Sequence, residues 1–431
     1  MWPRFKTGKR RDVRNKGIAK LSDIPRIMEK IVCGMLHSSE KALISKHQHG
    51  FMRVSSTTTN LIDFTSYVKT LKELGHQTDV ILKLKKLGFN PNMILWIKSY
   101  LKNRKLYVKI GSDMSEQFEA TSGIPQGSHL GPLIFIIFIN DLVTFIGTRS
   151  RSLLFADDSK IFMKVSVIED CIQLQEVINL VEEWCALNRL YLNVAKCKVM
   201  IFTRKVNGGI HFEYKIGAHI LERVNLIKDL GVWFDGKMSF IENIDRIIAK
   251  AFAMLGFVIR CSKEFKDPYV LKSLYCCFVR SILEFSSGVW CPYYKVHISR
   301  IESIQKRFLK FALRDLGWRD RLILPPYTDR LQLLNMNTLE HRREVGMVMF
   351  MVKLLKGDID AAHLLTQADV QLSNRTSDRR SCFFQIPHHR TNYGKYEPVN
   401  YMCILFNSFF DSVRLECSND VIKKHLLSFK V

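Results

Sequence analysis

A chain of 431 residues with 47% apolar side chains can bury several cores and is too apolar to be disordered as a whole. Its 65 basic against 41 acidic residues leave a net charge of +24, which sets it apart from enzymes of small neutral substrates and points to a polyanionic partner, nucleic acid or an anionic membrane surface. The longest purely apolar run, Leu133 to Ile139, falls far short of the ~20 residues that cross a bilayer, and the basic, polar start from Met1 to Lys20 is no signal peptide. Eleven cysteines at irregular spacing, with only Cys276 and Cys277 adjacent and no CxxC pair, predict free thiols without disulfide partners in the cytoplasm or nucleus.

Residues 1–30 carry ten Lys/Arg against Asp12, Asp23 and Glu29. Ile24, Ile27, Ile31, Met35 and Leu36 then predict a helix over 24–48 with Ser22 as its cap, and a second runs from Thr57 through Leu74 to a stop at Gly75. Residues 81–110 hold eight Lys/Arg and no acid, with Phe89, Trp96, Tyr100 and Tyr107 interleaved. That pattern fits either an amphipathic helix (Met93 to Leu101) with solvated lysines or a face that stacks bases and neutralises phosphates. A strand over Leu106–Ile110 and a turn at Gly111–Ser112 follow.

Farther along, Leu153–Ala156 and Lys160–Met163 flank Asp157-Asp158 like hairpin arms. Ile168 to Asn188 has helical period, with Leu174, Val177, Leu180, Val181 and Trp184 on one face. Val199–Thr203 and Gly231–Phe234 are predicted strands, and from Phe240 the pattern is mostly helical, led by Ile244, Ile247, Ile248, Ala251, Met254 and Leu255. A basic helix from Ile301 to Leu313 sets Lys306, Arg307, Lys310 and Arg314 opposite its apolar face. Pro325-Pro326 marks a boundary, and a helical, then loop-rich remainder includes the basic and aromatic stretch Arg375 to Pro398.

Two features carry chemistry. Adjacent acids at a hairpin tip, Asp157 and Asp158, are positioned to ligate Mg²⁺, although turns favour Asp for purely local reasons as well. Upstream, Ser122-Gly123-Ile124-Pro125-Gln126-Gly127-Ser128-His129-Leu130-Gly131-Pro132 is a tight loop feeding an apolar helix that ends at Asn140-Asp141. It serves either as a structural turn or as a loop whose Ser and Gln side chains touch bases and phosphates.

Together, SGIPQGSHLGPLIFIIFINDL and LLFADDSKIF resemble motifs B and C of reverse transcriptases, and FADD followed by Asn193-Val194-Ala195-Lys196-Cys197-Lys198 is similar to jockey-like non-LTR retrotransposons. Ile227-Lys228-Asp229-Leu230-Gly231-Val232 resembles the primer grip, His49-Gly50-Phe51-Met52 and Lys6-Thr7-Gly8-Lys9-Arg10 resemble fingers segments, and Ser262 to Tyr293 and Pro387 to Pro398 resemble the C-terminal part. The resemblance implies an α+β, right-hand polymerase: fingers remnant over 1–80, palm with an antiparallel sheet over 81–240, helical thumb over 241–320, and a mainly helical C-terminal region over 321–431. It implies RNA template, DNA primer and dNTPs as partners. Asp157 and Asp158 would be catalytic and hold Mg²⁺ in a two-metal site. Gly123, Pro125, Gln126 and Gly127 would position template and nucleotide, helped by Lys6 and Lys16. Lys196 or Lys198 would neutralise or protonate the leaving pyrophosphate, or else be a solvated strand end. Leu230 and Gly231 would hold the primer.

The pattern breaks at motif A. Gly75-His76-Gln77-Thr78-Asp79-Val80 begins like the entry to that strand, then passes directly to Ile81-Leu82-Lys83-Leu84-Lys85-Lys86-Leu87-Gly88-Phe89, which is similar to the helix beyond it. The strand tip with its catalytic acid is missing, and Asp79 matches only the opening. Asn15-Lys16-Gly17 stands where the family has a Tyr-Arg pair, so Lys16 supplies charge without the bidentate fork. No endonuclease domain precedes Met1 and no CCHC knuckle is present, as expected of a truncated or decayed element. The expectation is a reverse transcriptase impaired by loss of motif A. The alternatives are a non-catalytic RNA/DNA-binding remnant, a membrane-surface protein and, as a near neighbour, a viral RNA-templated RNA polymerase, against which Ala156 counts mildly.

Overall fold

The computed structural model describes residues 29–30, 32–33, 44–45, 47–48, 52, 56–57, 90–102, 104–107, 109–110, 112–120, 128–203, 210–314, 325–370 and 383–429. Helices and antiparallel strand pairs alternate in the first half, and helices dominate the second. The contacts divide the chain into two compact units, the first holding described residues 29–56, 90–199 and 210–222, the second 57, 200–203 and 223–429. The division near 222 falls ahead of the helix that begins at Ile241.

In the first unit, α1 (Pro91–Leu101) starts at Asn90, whose side chain accepts the Asn92 N–H, with proline at the first helical position. Four short strands follow: β1 (Arg104–Leu106) pairs with β4 (Phe118–Ala120), and β2 (Lys109–Ile110) with β3 (Asp113–Met114). The predicted strand over Leu106–Ile110 is thus split between two hairpins. The apolar run becomes α2 (Gly131–Ile139), which is buried on almost every side. It joins two clusters, one with Ile94 and Ile97 of α1, the other with α3 (Leu142–Ile146) and α4 (Ile168–Leu187). The start of α4 is fixed by Asp170, whose carboxylate accepts the Ser166 and Val167 N–H groups and is held below the ordinary carboxylate range by them. Its Trp184 is fully buried, edge-on to Phe138, and donates its indole N–H to Asp141 at 3.1 Å. The hairpin of β5 (Arg151–Phe155) and β6 (Asp158–Phe162) lies between α3 and α4 in sequence, and Leu154 on β5 joins the α3–α4 cluster. A small hairpin of β7 (Lys215–Ile216) and β8 (His219–Ile220) is tied to α4 by Gln175, which bonds both the N–H and the carbonyl of Lys215.

The second unit opens with β9 (Leu226–Asp229) paired to β10 (Val232–Asp235), then α5 (Ile241–Cys261), whose Ile244, Ile248, Ala251 and Leu255 are buried as the period predicts. α6 (Pro268–Leu274) continues into a π-helical segment, Tyr275–Arg280. There Tyr275 stacks on Phe308 of α7 (Lys295–Ala312), with ring centroids 4.1 Å apart. The helices α8 (Tyr327–Leu333), α9 (Leu339–Leu355), α10 (Pro398–Ser408) and α11 (Asn419–Ser428) complete it. The last is pinned by His341 to the Leu426 carbonyl and by Asn337 to the Leu427 carbonyl. No helix among the described residues is long and apolar enough to cross a membrane, and none of the described cysteines is in a disulfide.

A buried carboxylate organises the helices of this unit. Glu302 on α7 accepts the Leu339 N–H at the start of α9 through both oxygens, and the Tyr327 hydroxyl also donates to it. Gln305, with no exposed surface, donates to Tyr327 and to the Asn337 carbonyl and accepts from Tyr275. Burial raises the pKa of Glu302 above the ordinary carboxylate value, and the donors around it work in the other direction. Replacing Glu302 by Ala removes the acceptor these donors share, and a loss of about 3 kcal/mol is expected. Chemical denaturation of Glu302→Ala should show this loss, and an unchanged midpoint would contradict the assignment.

Candidate active site

The acid pair sits on the β5–β6 hairpin, where Phe155 pairs with Asp158 and only Ala156 and Asp157 lie between the strands. Closing a hairpin in two residues requires left-handed backbone, and Ala156 takes it at φ +54°. The turn is tighter than the sequence predicts: Asp157 occupies it, while Asp158 is already the first residue of β6. Both are exposed. The hairpin stem is held from the side by the His47–Gln48 segment. Leu154 N–H donates to the His47 carbonyl at 2.9 Å, Gln48 forms a parallel bridge with Leu154, and the Gln48 side chain accepts the Ala156 N–H at 3.2 Å. Gln48 is 2% exposed, so this contact fixes the turn from within the fold.

Gly123, Pro125, Gln126 and Gly127 lie outside the described residues, as do Lys6, Lys16 and Asp79. The described end of that loop is built tightly. Ser128 is buried and its hydroxyl accepts the Gly131 N–H at 2.9 Å, capping α2. The neighbouring His129 N–H donates to Glu29 at 2.8 Å, and the Tyr100 hydroxyl donates to the other Glu29 oxygen at 2.6 Å. Burial and this bond to Glu29 push the Tyr100 hydroxyl well above its ordinary pKa. Glu29, 1% exposed, therefore ties the loop exit to α1, a role nothing in the basic N-terminal stretch signals. At the far end of α2, Asn140 accepts the Ser45 N–H at 2.6 Å and Asp141 accepts from Trp184, so Asn140-Asp141 is a structural joint.

The two candidate lysines differ. Lys198 is ion-paired with Glu222, whereas Lys196, in a short 3-10 turn (Val194–Lys196), is exposed and unpaired among the described residues. Leu230 and Gly231 form the two-residue reversal between β9 and β10 in the second unit, at φ +43° and +95°. Trp233 on β10 donates its backbone N–H to Asn243 and lies under the Arg246 guanidinium, 4.0 Å from the ring centre, which docks the hairpin on α5.

A family profile described as reverse transcriptase (RNA-dependent DNA polymerase) matches residues 7–259. A probable RNA-directed DNA polymerase from transposon BS of Drosophila melanogaster is 23% identical over 323 residues, 68% of this chain and 35% of the relative. The RNA-directed DNA polymerases from mobile element jockey of Drosophila funebris and Drosophila melanogaster are 24% and 23% identical, over 50% and 55% of this chain and 24% and 27% of their own lengths. The chain thus spans about a quarter to a third of the length of these three relatives.

A side chain at Gly231 faces two separate penalties. Its φ of +95° is one L-residues rarely adopt, and an added Cβ would stand 2.9 Å from the Phe285 ring. Gly231→Ala should therefore cost about 2 kcal/mol or more. Adding Phe285→Ala should recover the steric part and leave the backbone part. Additive losses in a denaturation double-mutant cycle would contradict this contact.

Proposed function

Because the chain belongs to the reverse transcriptase (RNA-dependent DNA polymerase) family, we propose that it is the polymerase portion of a jockey-like non-LTR retrotransposon protein that engages RNA template, DNA primer and dNTPs but turns over poorly. The observation that supports the lineage is the acid pair where a two-residue hairpin turn enters its second strand, inside the matched region. The observation that supports poor turnover is the direct passage from Thr78-Asp79-Val80 to Ile81-Leu82-Lys83, without the strand tip that carries the family's further acid.

In this reading Asp157 and Asp158 contact Mg²⁺, Gly123, Pro125, Gln126 and Gly127 orient template and nucleotide, and Lys6 and Lys16 hold the triphosphate. Lys196 faces the leaving group in preference to Lys198, because Glu222 already compensates the latter. Leu230 and Gly231 hold the primer end. The hand divides into fingers over 1–80, palm over 81–240, thumb over 241–320 and a C-terminal region over 321–431. The working compartment is cytoplasm or nucleus.

The residues present fit a two-cation centre only in part. Two divalent cations about 4 Å apart repel each other strongly, and several carboxylates must offset that repulsion. Among the described residues, no three His, Cys, Asp or Glu gather as a metal-holding group. The pair on its own fits a contact to one cation, not a complete centre for phosphoryl transfer. What this chain's own residues supply is positioning and positive charge, and the +24 excess favours a polyphosphate backbone.

Purified chain given primer, RNA template, dNTPs and Mg²⁺ should extend the primer little, while RNA affinity should fall steeply with salt. Robust extension that Asp157→Ala abolishes would overturn the impaired reading. Affinity indifferent to salt would overturn nucleic-acid engagement, the feature shared with the second reading of a non-catalytic RNA- or DNA-binding remnant.

A further inference from the structure

The turn between β5 and β6 is held by a residue 108 positions away in the chain. Ala156 stands at φ +54°, a conformation L-residues seldom adopt, whereas an Asn-Gly or Asp-Gly turn would make the same reversal at little cost. Gln48, 2% exposed, meets the hairpin twice. Its backbone forms the parallel bridge to Leu154, and its side-chain oxygen accepts the Ala156 N–H at 3.2 Å. One buried residue thus touches the end of β5 and the turn itself, immediately before the acids.

The segment that carries Gln48 is anchored in turn to the end of α2. Asn140 accepts the Ser45 N–H at 2.6 Å, and the Ser45 carbonyl accepts the Gln48 N–H at 3.0 Å. A line of hydrogen bonds therefore runs from Asn140 through Ser45 and Gln48 to Ala156. Backbone strain of this kind persists where the surroundings over-determine it, and it gathers at ligand-holding sites. Two acids that share an ion need their geometry set beforehand, because the fraction of molecules with a loosened turn lowers the apparent affinity directly.

We propose that Gln48 is a positioning residue for the acid pair: by accepting the Ala156 N–H it keeps the turn left-handed and so sets the affinity of Asp157 and Asp158 for a divalent cation. This role extends the reading in which these acids contact Mg²⁺ and rests on it. Without the Gln48 acceptor, the Ala156 N–H loses its partner beside a buried stem, and nothing offsets the strain of the turn. The turn then opens in most molecules, and the cation must close it again to bind.

Electron paramagnetic resonance of Mn²⁺ titrated into the full chain tests this, with hydrogen exchange at the Ala156 amide as a second readout. The native chain should hold one ion that Asp157→Asn releases. Gln48→Leu, which keeps the volume and removes the acceptor, should weaken that ion about fivefold and speed exchange at Ala156. Adding Ala156→Gly should return the affinity to within about twofold of native, because glycine takes left-handed backbone freely. General damage to the fold would not be repaired at the turn. If Gln48→Leu does not fold, Asn140→Ala, which releases the far end of the segment, should weaken the ion and be rescued by Ala156→Gly in the same way. Native affinity in the folded variant, or a loss that Ala156→Gly leaves unrepaired, overturns the role of Gln48 and leaves the cation contact of the acid pair standing. Absence of any ion that depends on Asp157 overturns that contact, and the role of Gln48 with it.

Discussion

Reversing a β-chain within two residues demands left-handed backbone, and Ala156 accepts that conformation where the chain turns from Phe155 into Asp158. Everything the first unit offers chemically depends on that turn. It sets two consecutive acids at the end of a stem that is held firmly because Leu153 and Leu154 are fully buried and the buried Gln48 accepts the Ala156 N–H. The acids themselves remain exposed, so their mutual repulsion is softened by water until cations arrive. A pair of divalent cations needs further negative charge beside these two acids, and in the sequence Thr78-Asp79-Val80 passes directly to Ile81-Leu82-Lys83.

The second unit solves a different problem, the joining of helix ends. Glu302 reaches from the middle of α7 to the open N–H groups at the start of α9, where carboxylate charge also favours the helix dipole. The Tyr327–Gln305–Tyr275 chain then satisfies every polar tip introduced by that arrangement. Arg343, one turn along α9, adds a buried positive charge that works against the rise of the Glu302 pKa, while its own Nε and Nη1 have no hydrogen-bond partner.

The parts of the fold governed by local periodicity were legible in the sequence. The apolar stripe over Ile168 to Asn188 became α4, Phe240 onward became α5, and the flanks of Asp157-Asp158 became a hairpin. α7 begins at Lys295, six residues before the predicted Ile301, because its first turns carry mostly exposed residues with little apolar period. The polar joints were not legible. Glu29 meets His129 across 100 residues and Tyr100 across 71, separations at which nothing local marks the pairing. Arg314 was expected on a solvated basic face, yet it donates to the Lys263 and Phe265 carbonyls, because the end of α7 lies against the loop after α5. Of the candidate site, the acid pair and the Leu230-Gly231 reversal are described, whereas the loop over 121–127 and the entry around Asp79 lie outside the described residues.

The central claim is one of charge: two adjacent acids without a third cannot hold a pair of divalent cations tightly. Electron paramagnetic resonance of Mn²⁺ titrated into the native chain and into Asp157→Asn measures this directly. The account predicts at most one weakly held ion, released in the variant, with no signature of two coupled ions. Two tightly bound, spin-coupled Mn²⁺ ions in the native chain, both lost in Asp157→Asn, would contradict it.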